Sequence, residues 1–274
     1  DHMANHKQVK DRVDALEMHI RDLTSKTTVD SVTKKSFYSY RHANRLFKLL
    51  KGESINAYAN KIRIQTSAEY LKYTSVSIFE IALEVGYEST AAFSKAFKKL
   101  YGQSPSAFRR QKASRHQFKP TGEVCFTLTF FEEKRIQVVK TAICPGSTFG
   151  AYHRNTQSAF EALKTDAEAL MLLWYEDPGL CKVAESPYFV GVDVHQRAGV
   201  ENGEGTISIQ GRYAIFDATF LEAFAYEVWH ELIYLLVEWQ GHTLRKAPYL
   251  EWFSTTALES VHTFSPDKVG IPIQ

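Results

Sequence analysis

The sequence predicts a chain of two unlike domains. An all-α amino-terminal domain, with two tandem helix-turn-helix modules joined by a long helix, precedes an α+β carboxy-terminal domain of two pseudo-symmetric βαββ units. Three observations predict this. A pattern recurs fifty residues on, with FKLLKGESINAY at 47–58 lying over FKKLYGQSPSAF at 97–108. The hydrophobic spacing is helical in the first half and alternates, strand-like, in the second. The charge divides as well: residues 1–119 hold 22 Lys and Arg against 11 Asp and Glu, a net of +11. Residues 120–274 hold 11 against 20, a net of −9. A basic half carries the electrostatic footprint of a polyanion binder, and the acidic half would be repelled by the same polyanion.

Residues 9–23 form an amphipathic helix (Val13, Leu16, Ile20, Leu23) that supplies core to the first module. Its charges are mixed and give it no recognition role. In the second helix of that module Ala43, Leu46, Phe47 and Leu50 point inward, leaving Arg41, His42, Asn44, Arg45 and Lys48 outside. Residues 56–72 contain no Gly or Pro and keep a helical pattern through Tyr58, Ile62, Ala68 and Leu71. Roughly 18 helical residues span about 27 Å. Modules at the two ends of such a helix reach successive major grooves, about 34 Å apart, without dimerisation.

The second module, 78–108, is the more regular copy. A short amphipathic segment (Ile78, Ile81, Ala82) ends at Val85-Gly86-Tyr87, where Gly86 accepts the positive φ of a tight turn. Ser89 is a good N-cap for the next helix. There Ala92, Phe93, Ala96, Phe97 and Leu100 make one buried stripe, opposite Thr90, Ala91, Ser94, Lys95, Lys98 and Lys99. Any helical hairpin needs such a stripe, and a lysine-bearing face is ordinarily just solvated. The second copy of the pattern turns the reading toward DNA.

The second copy resembles the AraC/XylS family of transcription regulators through Ile81-Ala82, Val85-Gly86-Tyr87, Phe93, Phe97-Lys98-Lys99, Gly102, Ser104-Pro105 and Phe108-Arg109. The resemblance covers about 8–112 and implies a DNA-binding domain of those bounds. It places Arg41, Asn44 and Arg45 at base-reading positions of the first module, and Thr90, Ala91, Ser94 and Lys95 at those of the second. Arginine suits guanine O6/N7 and asparagine suits adenine N6/N7, each pair giving about 1–3 kcal/mol of discrimination. The second reading face is chemically plain, so most base specificity is expected from the first. Lys48, Lys98, Ser54, Ser89 and Ser104 are candidate phosphate contacts, which position without specifying. The first copy departs from the family at Thr33, where a small alanine is usual, and at Phe37, where the turn glycine stands.

Residues 113–123 read as a linker, within a basic stretch (109–123) that also suits phosphate. Beyond it the expected order is strands at 125–131 and 135–142, a helix at 157–172, and strands at 173–176 and 188–195. A similar order follows: strand 206–218, helix 221–239, strands 249–254 and 268–273. Helices on one face of a mainly antiparallel sheet are the expected arrangement. Residues 124–274 resemble the GyrI-like effector-binding domain through Tyr175-Glu176-Asp177-Pro178, Gly211-Arg212-Tyr213-Ala214-Ile215-Phe216, Pro248-Tyr249-Leu250-Glu251-Trp252-Phe253 and Ile271-Pro272-Ile273. The resemblance implies binding of a hydrophobic, often cationic, small molecule between the two units, with Glu251 as counter-charge.

The residues around Glu251 support that. It stands among Tyr249, Leu250, Trp252 and Phe253, and a carboxylate removed from water is costly unless paired. Aromatic walls add cation–π attraction of about 0.5–2 kcal/mol each. The competing reading has Glu251 facing solvent, or paired with Arg245 or Lys246. Trp174, Tyr152, Phe216, Phe220, Trp229 and Phe253 are the candidate walls, though such a residue taken alone is more often core than ligand contact. Phe253 departs from the tyrosine common in the family.

Other classes find little support. No run of 18 apolar residues marks a membrane span, and the first residues show no signal-peptide pattern; Asp1-His2 ahead of Met3 reads as a tag remnant. Cys125, Cys144 and Cys181 are scattered and odd in number, favouring a reducing cytosol without structural zinc. His153, His195, His230 and His242 show no metal spacing, and neither metal nor cofactor is expected. The expectation is a cytoplasmic transcription regulator, not an enzyme. Its partners would be double-stranded DNA, a small-molecule effector and RNA polymerase, with no membrane. The alternatives are a small-molecule hydrolase or a protein-interaction activity in the GyrI-like domain.

Overall fold

Gly52 and Gly102, fifty residues apart, close their helices in the same way. Their φ angles are 81° and 76°, and their amides donate to Lys48 and Lys98 carbonyls at 3.0 and 2.9 Å. The sequence repeat is therefore a repeat of structure. The computed structural model describes residues 2–21, 29–36, 39–113, 126–183, 185–193, 205–219, 221, 229–239 and 241–274. Leu23, Phe37, Tyr38, the linker from 114 to 123, Cys125, His195, Phe220 and 222–228 lie outside the described residues. The chain divides into two compact units, Asp1–His116 and Gln117–Gln274.

The first unit is helical: α1 (His2–Arg21), α2 (Val29–Ser36), α3 (Tyr40–Lys51), α4 (Ile55–Tyr73), α5 (Ile78–Glu84), α6 (Thr90–Tyr101) and α7 (Pro105–Ala113). Serines begin most of these helices, because a serine oxygen satisfies one of the unpaired amides of a first turn. Ser39, Ser54, Ser77 and Ser89 accept from His42, Ala57, Glu80 and Ala92. Gly86 has φ 84°, and a Cβ there would meet nothing nearer than Arg63 Cζ at 3.7 Å, so the turn demands glycine for its backbone and not for space.

The two modules share a packing device. Phe47 meets Tyr58 edge-on with ring centroids 5.3 Å apart, and Phe97 meets Phe108 edge-on, also at 5.3 Å. In the first module the ring also carries a hydroxyl, which donates to Glu17 Oε1 at 2.6 Å and accepts from Arg21 at 2.6 Å. Lys51 donates to Asp14 (2.8 Å) and Glu17 (2.7 Å). Burial alone would lower the Lys51 pKa, but these carboxylates together outweigh it and hold the ammonium above its usual value. The helix expected at 9–23 thus binds the first module by buried charge as well as apolar contact.

Two expected core positions are corrected. Leu50 is 36% exposed and Ala92 is exposed. Only Ala43 and Phe47 of α3, and Phe93 and Phe97 of α6, are buried. Each helix meets its module along a single i, i+4 line, and neighbouring positions fall at the rim.

The second unit contains β1 (Phe126–Ile143), α8 (Phe149–Ala162), β2 (Ala169–Trp174), β3 (Ser186–Asp193), β4 (Thr206–Asp217), α9 (Trp229–Trp239), β5 (Tyr249–Ser254) and β6 (Lys268–Pro272). The strands are antiparallel, as expected, and close into a barrel in the order β1-β3-β2-β5-β6-β4. The strands expected at 125–131 and 135–142 are one strand. A register shift between Phe131 and Lys134 absorbs the charged interruption while pairing with β4 continues.

The helix expected at 157–172 is also corrected. It runs over 149–162, stops where Lys164 adopts φ 49°, and its supposed second half is β2. The short expected strand at 173–176 therefore begins earlier and ends at Trp174. Leu170-Met171-Leu172-Leu173 is buried throughout, as suits a strand between two others, and such a run has no period to distinguish strand from helix. The direct register Leu172–Glu251–Val269–Phe216 across β2, β5, β6 and β4 puts these side chains on one face, all 2% exposed or less.

Candidate functional site

The outer face of α3 presents Arg41, Arg45 and Lys48 to solvent. That of α6 presents Ala91, Lys95 and Lys98, with Thr90 and Ser94 half-buried. Ser54, Ser89 and Ser104 are all cap residues, their oxygens accepting from the Ala57, Ala92 and Ala107 amides at 3.2 Å each. Their first structural duty is therefore local. A capped helix start also carries free amides and a positive dipole end, which suits an anion.

Asn44 makes a contact within the protein. Its Oδ1 accepts the Ile55 amide at 2.9 Å. Bidentate reading of adenine needs that oxygen as acceptor for N6–H and the amide nitrogen as donor to N7. One of the two lone pairs of that oxygen is thus engaged within the protein, while the second lone pair and the amide NH2 remain. The engagement was not legible from helical spacing, because Ile55 belongs to the next helix.

In the second unit the sequence-predicted Glu251 is 2% exposed and surrounded by donors. Tyr152 donates to Oε2 at 2.6 Å, Trp174 Nε1 to the same oxygen at 3.2 Å, and Tyr249 to Oε1 at 3.1 Å. Three elements supply these groups: α8 begins at a Thr148 cap and carries Tyr152, while β2 and β5 pair Trp174 directly with Tyr249. Arg245, a candidate partner from sequence, has its guanidinium on the carbonyls of Ile273, Gln210 and Arg212 and over the Tyr213 ring.

The rings around the carboxylate form a continuous aromatic cluster. Trp174 and Tyr188 stack at 4.2 Å, and Tyr152 stands edge-on to both at 5.5 Å. Phe253 stacks on Phe264, which meets Tyr152, each pair at 4.9 Å. Trp229 reaches the cluster through Phe149. Phe216 shares the buried face two strands from Glu251 and packs on Phe126 at 5.4 Å. Burial raises the Tyr188 phenol pKa far above its usual value, against its hydrogen bond with Thr156 and with help from the Glu251 charge.

Tyr188, Tyr249 and Phe264 were not anticipated as site residues. Strand alternation held a signal for Tyr249, which lies two residues before Glu251 and so on the same face. Tyr188 and Phe264 gave none. Among the described residues no group of three or more His, Cys, Asp or Glu has a metal-holding arrangement, and no helix is long and apolar enough to cross a membrane.

Two helix pairs, whose second helices α3 and α6 share a serine cap and a glycine closure, joined by one long helix, define the amino-terminal unit as a tandem helix-turn-helix domain. Residues 32–111 match the family described as "Helix-turn-helix domain". The chain is 36% identical over 102 residues to the right origin-binding protein of Escherichia coli K12, covering 37% of this chain and 34% of that protein. It is 29% identical over 109 residues to the regulatory protein SoxS of Escherichia coli K12, covering 40% of this chain and 99% of that protein. This unit is a helix-turn-helix domain of the AraC family. The match spans only 34%, about a third, of the length of the right origin-binding protein. Among solved structures, "SAV2435 bound to tetraphenylphosphonium" is 17% identical, covering 54% of this chain and 93% of that one at a TM-score of 0.35, a likeness too slight to bear an argument.

Proposed function

We propose that this chain is a sequence-selective DNA-binding transcription regulator whose carboxy-terminal unit, read as two pseudo-symmetric βαββ halves of GyrI-like type, binds a hydrophobic cationic effector. It acts in the cytoplasm by binding and not by catalysis, with RNA polymerase as a further partner. Arg41 and Arg45 read bases. Lys48, Lys95, Lys98 and the helix starts at Ser54, Ser89 and Ser104 hold phosphate. Tyr152, Trp174, Phe216, Phe220, Trp229 and Phe253 wall the effector site around Glu251.

The observation that carries the effector reading is the burial of Glu251 among aromatic rings with three neutral donors and its charge enclosed. Donors make an empty site tolerable, since hydrogen bonds to a carboxylate are stronger than neutral ones. A lipophilic cation gains more: it neutralises the charge and meets the negative faces of the rings. Tyr152 is fully buried on α8, so entry of the cation requires α8 to shift. A ligand-dependent shift of a helix is the differential contact that coupling to DNA binding requires.

The test is calorimetric titration of the full chain with a lipophilic aryl phosphonium cation, beside selection of binding sites from random DNA. Saturable cation binding that drops at least tenfold in Glu251→Gln is the expected result. Equal binding by both proteins would remove the counter-charge, and failure to enrich any DNA sequence would remove the regulator.

A further inference from the structure

Asn44 and Ile55 occupy the same positions of the repeat as Ser94 and Pro105, fifty residues later. Ile55 opens α4, is fully buried, and has an amide with no partner inside its own helix, as every first-turn amide does. Asn44, from the middle of α3, supplies the missing acceptor at 2.9 Å. In the second module Pro105 opens α7 and has no amide hydrogen to satisfy. There the position of Asn44 is held by the shorter Ser94. The first module thus pairs the donor with a long acceptor, whereas the second has no donor and a shorter side chain.

We propose that Asn44 is a positioning residue, whose side-chain oxygen locks the reading helix α3 to the first turn of the linker helix α4 and so fixes how Arg41 and Arg45 face DNA. This rests on the DNA-binding reading above. The edge-on contact of Phe47 with Tyr58 between the same helices is non-directional and leaves some freedom in how α3 is turned against α4. The hydrogen bond is directional and removes that freedom. In the second module the proline ring fixes the backbone instead, and Phe97, Tyr101 and Phe108 pack as three mutually contacting rings. Base specificity in the first module then belongs to its two arginines, without an adenine contact from Asn44.

Amide hydrogen exchange at Ile55 and random-site selection, both on the full chain, test this. Asn44→Ala is expected to speed Ile55 exchange about tenfold or more, because that amide has no helical partner to fall back on. Asn44→Asp, which keeps an acceptor, is expected to restore protection. In DNA selection Asn44→Ala is expected to lower affinity about tenfold while leaving the preferred base at every position unchanged. Ile55→Pro is compatible with the extended backbone of Ser54 (φ −71°, ψ 154°), and in that background Asn44→Ala is expected to add no further loss of affinity. Loss of preference at one base pair, or additive effects of the two substitutions, would overturn the positioning role. Unchanged Ile55 exchange in Asn44→Ala would overturn the tie itself. A wild-type chain that selects no sequence would overturn the DNA-binding reading and the role of Asn44 with it, whatever the exchange result.

Discussion

The phenol of Tyr152 and the carboxylate of Glu251, ninety-nine residues apart, are joined by a 2.6 Å hydrogen bond between α8 and β5. Both are buried, and Trp174 shares the accepting oxygen. A helix is thereby held onto the barrel by the same charge that would attract a cation. A cation bound there would compete with the helix for one oxygen.

That competition separates the two effects of removing the phenol. Tyr152→Phe deletes one hydrogen bond to a charged group, so stability in urea should fall by about 1.5–3 kcal/mol. Affinity for a lipophilic cation should rise, because one competitor for the carboxylate is gone while the ring remains. Titration and urea unfolding of the same variant decide it. If affinity falls together with stability, the phenol hydroxyl itself holds the ligand and is not a competitor.

The division of labour between α3 and α6 predicts opposite signatures for two basic residues. Arg45→Ala should cost about 1–3 kcal/mol of discrimination at one base pair and broaden preference there. Lys95→Ala should weaken preferred and random DNA alike and reduce the salt dependence of binding by about one counterion. Gel-shift titrations at several salt concentrations measure both. Equal effects of the two variants on preferred and random DNA would end the assignment.

Buried phenols predict an alkaline limit for the second unit. Burial raises the Tyr213 pKa from 10.0 to about 12, with Arg245 acting in the opposite direction, and Tyr188 is raised further. An unfolded phenol ionises near pH ~10. Above that pH the unfolded chain therefore holds fewer protons than the folded one, and stability falls as pH rises. The contribution is fully present below about pH 10 and is lost as pH climbs through about 12 for Tyr213. Each phenol steepens the fall by up to about 1.4 kcal/mol per pH unit. Urea midpoints across the alkaline range should show this slope, and Tyr213→Phe should reduce it by one proton. An unchanged slope in that variant would remove Tyr213 as its source.

The close approach of β1 to β3 predicts intolerance at Gly191. A Cβ there would lie 2.8 Å from the Gln137 carbonyl oxygen and from Val138 Cγ1, and would press on Ile136 Cγ2 as well. Backbone cannot yield as a flexible side chain can, so Gly191→Ala should destabilise by at least the about 1–3 kcal/mol typical of overpacking. Circular dichroism on heating measures it. A melting temperature within a degree or so of wild type would show that the strands separate easily.

Much of the helical unit was legible because its signals are local. Gly86 declared its turn, Ser89 its helix start, and the match of 47–58 with 97–108 declared two modules, which the Phe47–Tyr58 and Phe97–Phe108 contacts repeat. The rest was not legible where one residue serves a distant one. Asn44 was read from its own helix, although its oxygen is engaged by the first amide of the next. Residues 169–172 read as helix because a fully apolar run has no period, and only their place between β3 and β5 makes them a strand.

The sequence by itself determined the class of the first unit and singled out Glu251, since a helix cap, a turn glycine and a carboxylate in an apolar strand each act through residues near in the chain. Only the tertiary structure decided that the sheet closes into a barrel and that Glu251 is buried. It alone decided that Tyr152, Trp174 and Tyr249 converge on that carboxylate. Strand order and side-chain convergence join residues far apart in sequence. Neither leaves a periodic mark in the chain, because each is set by which surfaces bury one another once the strands have paired.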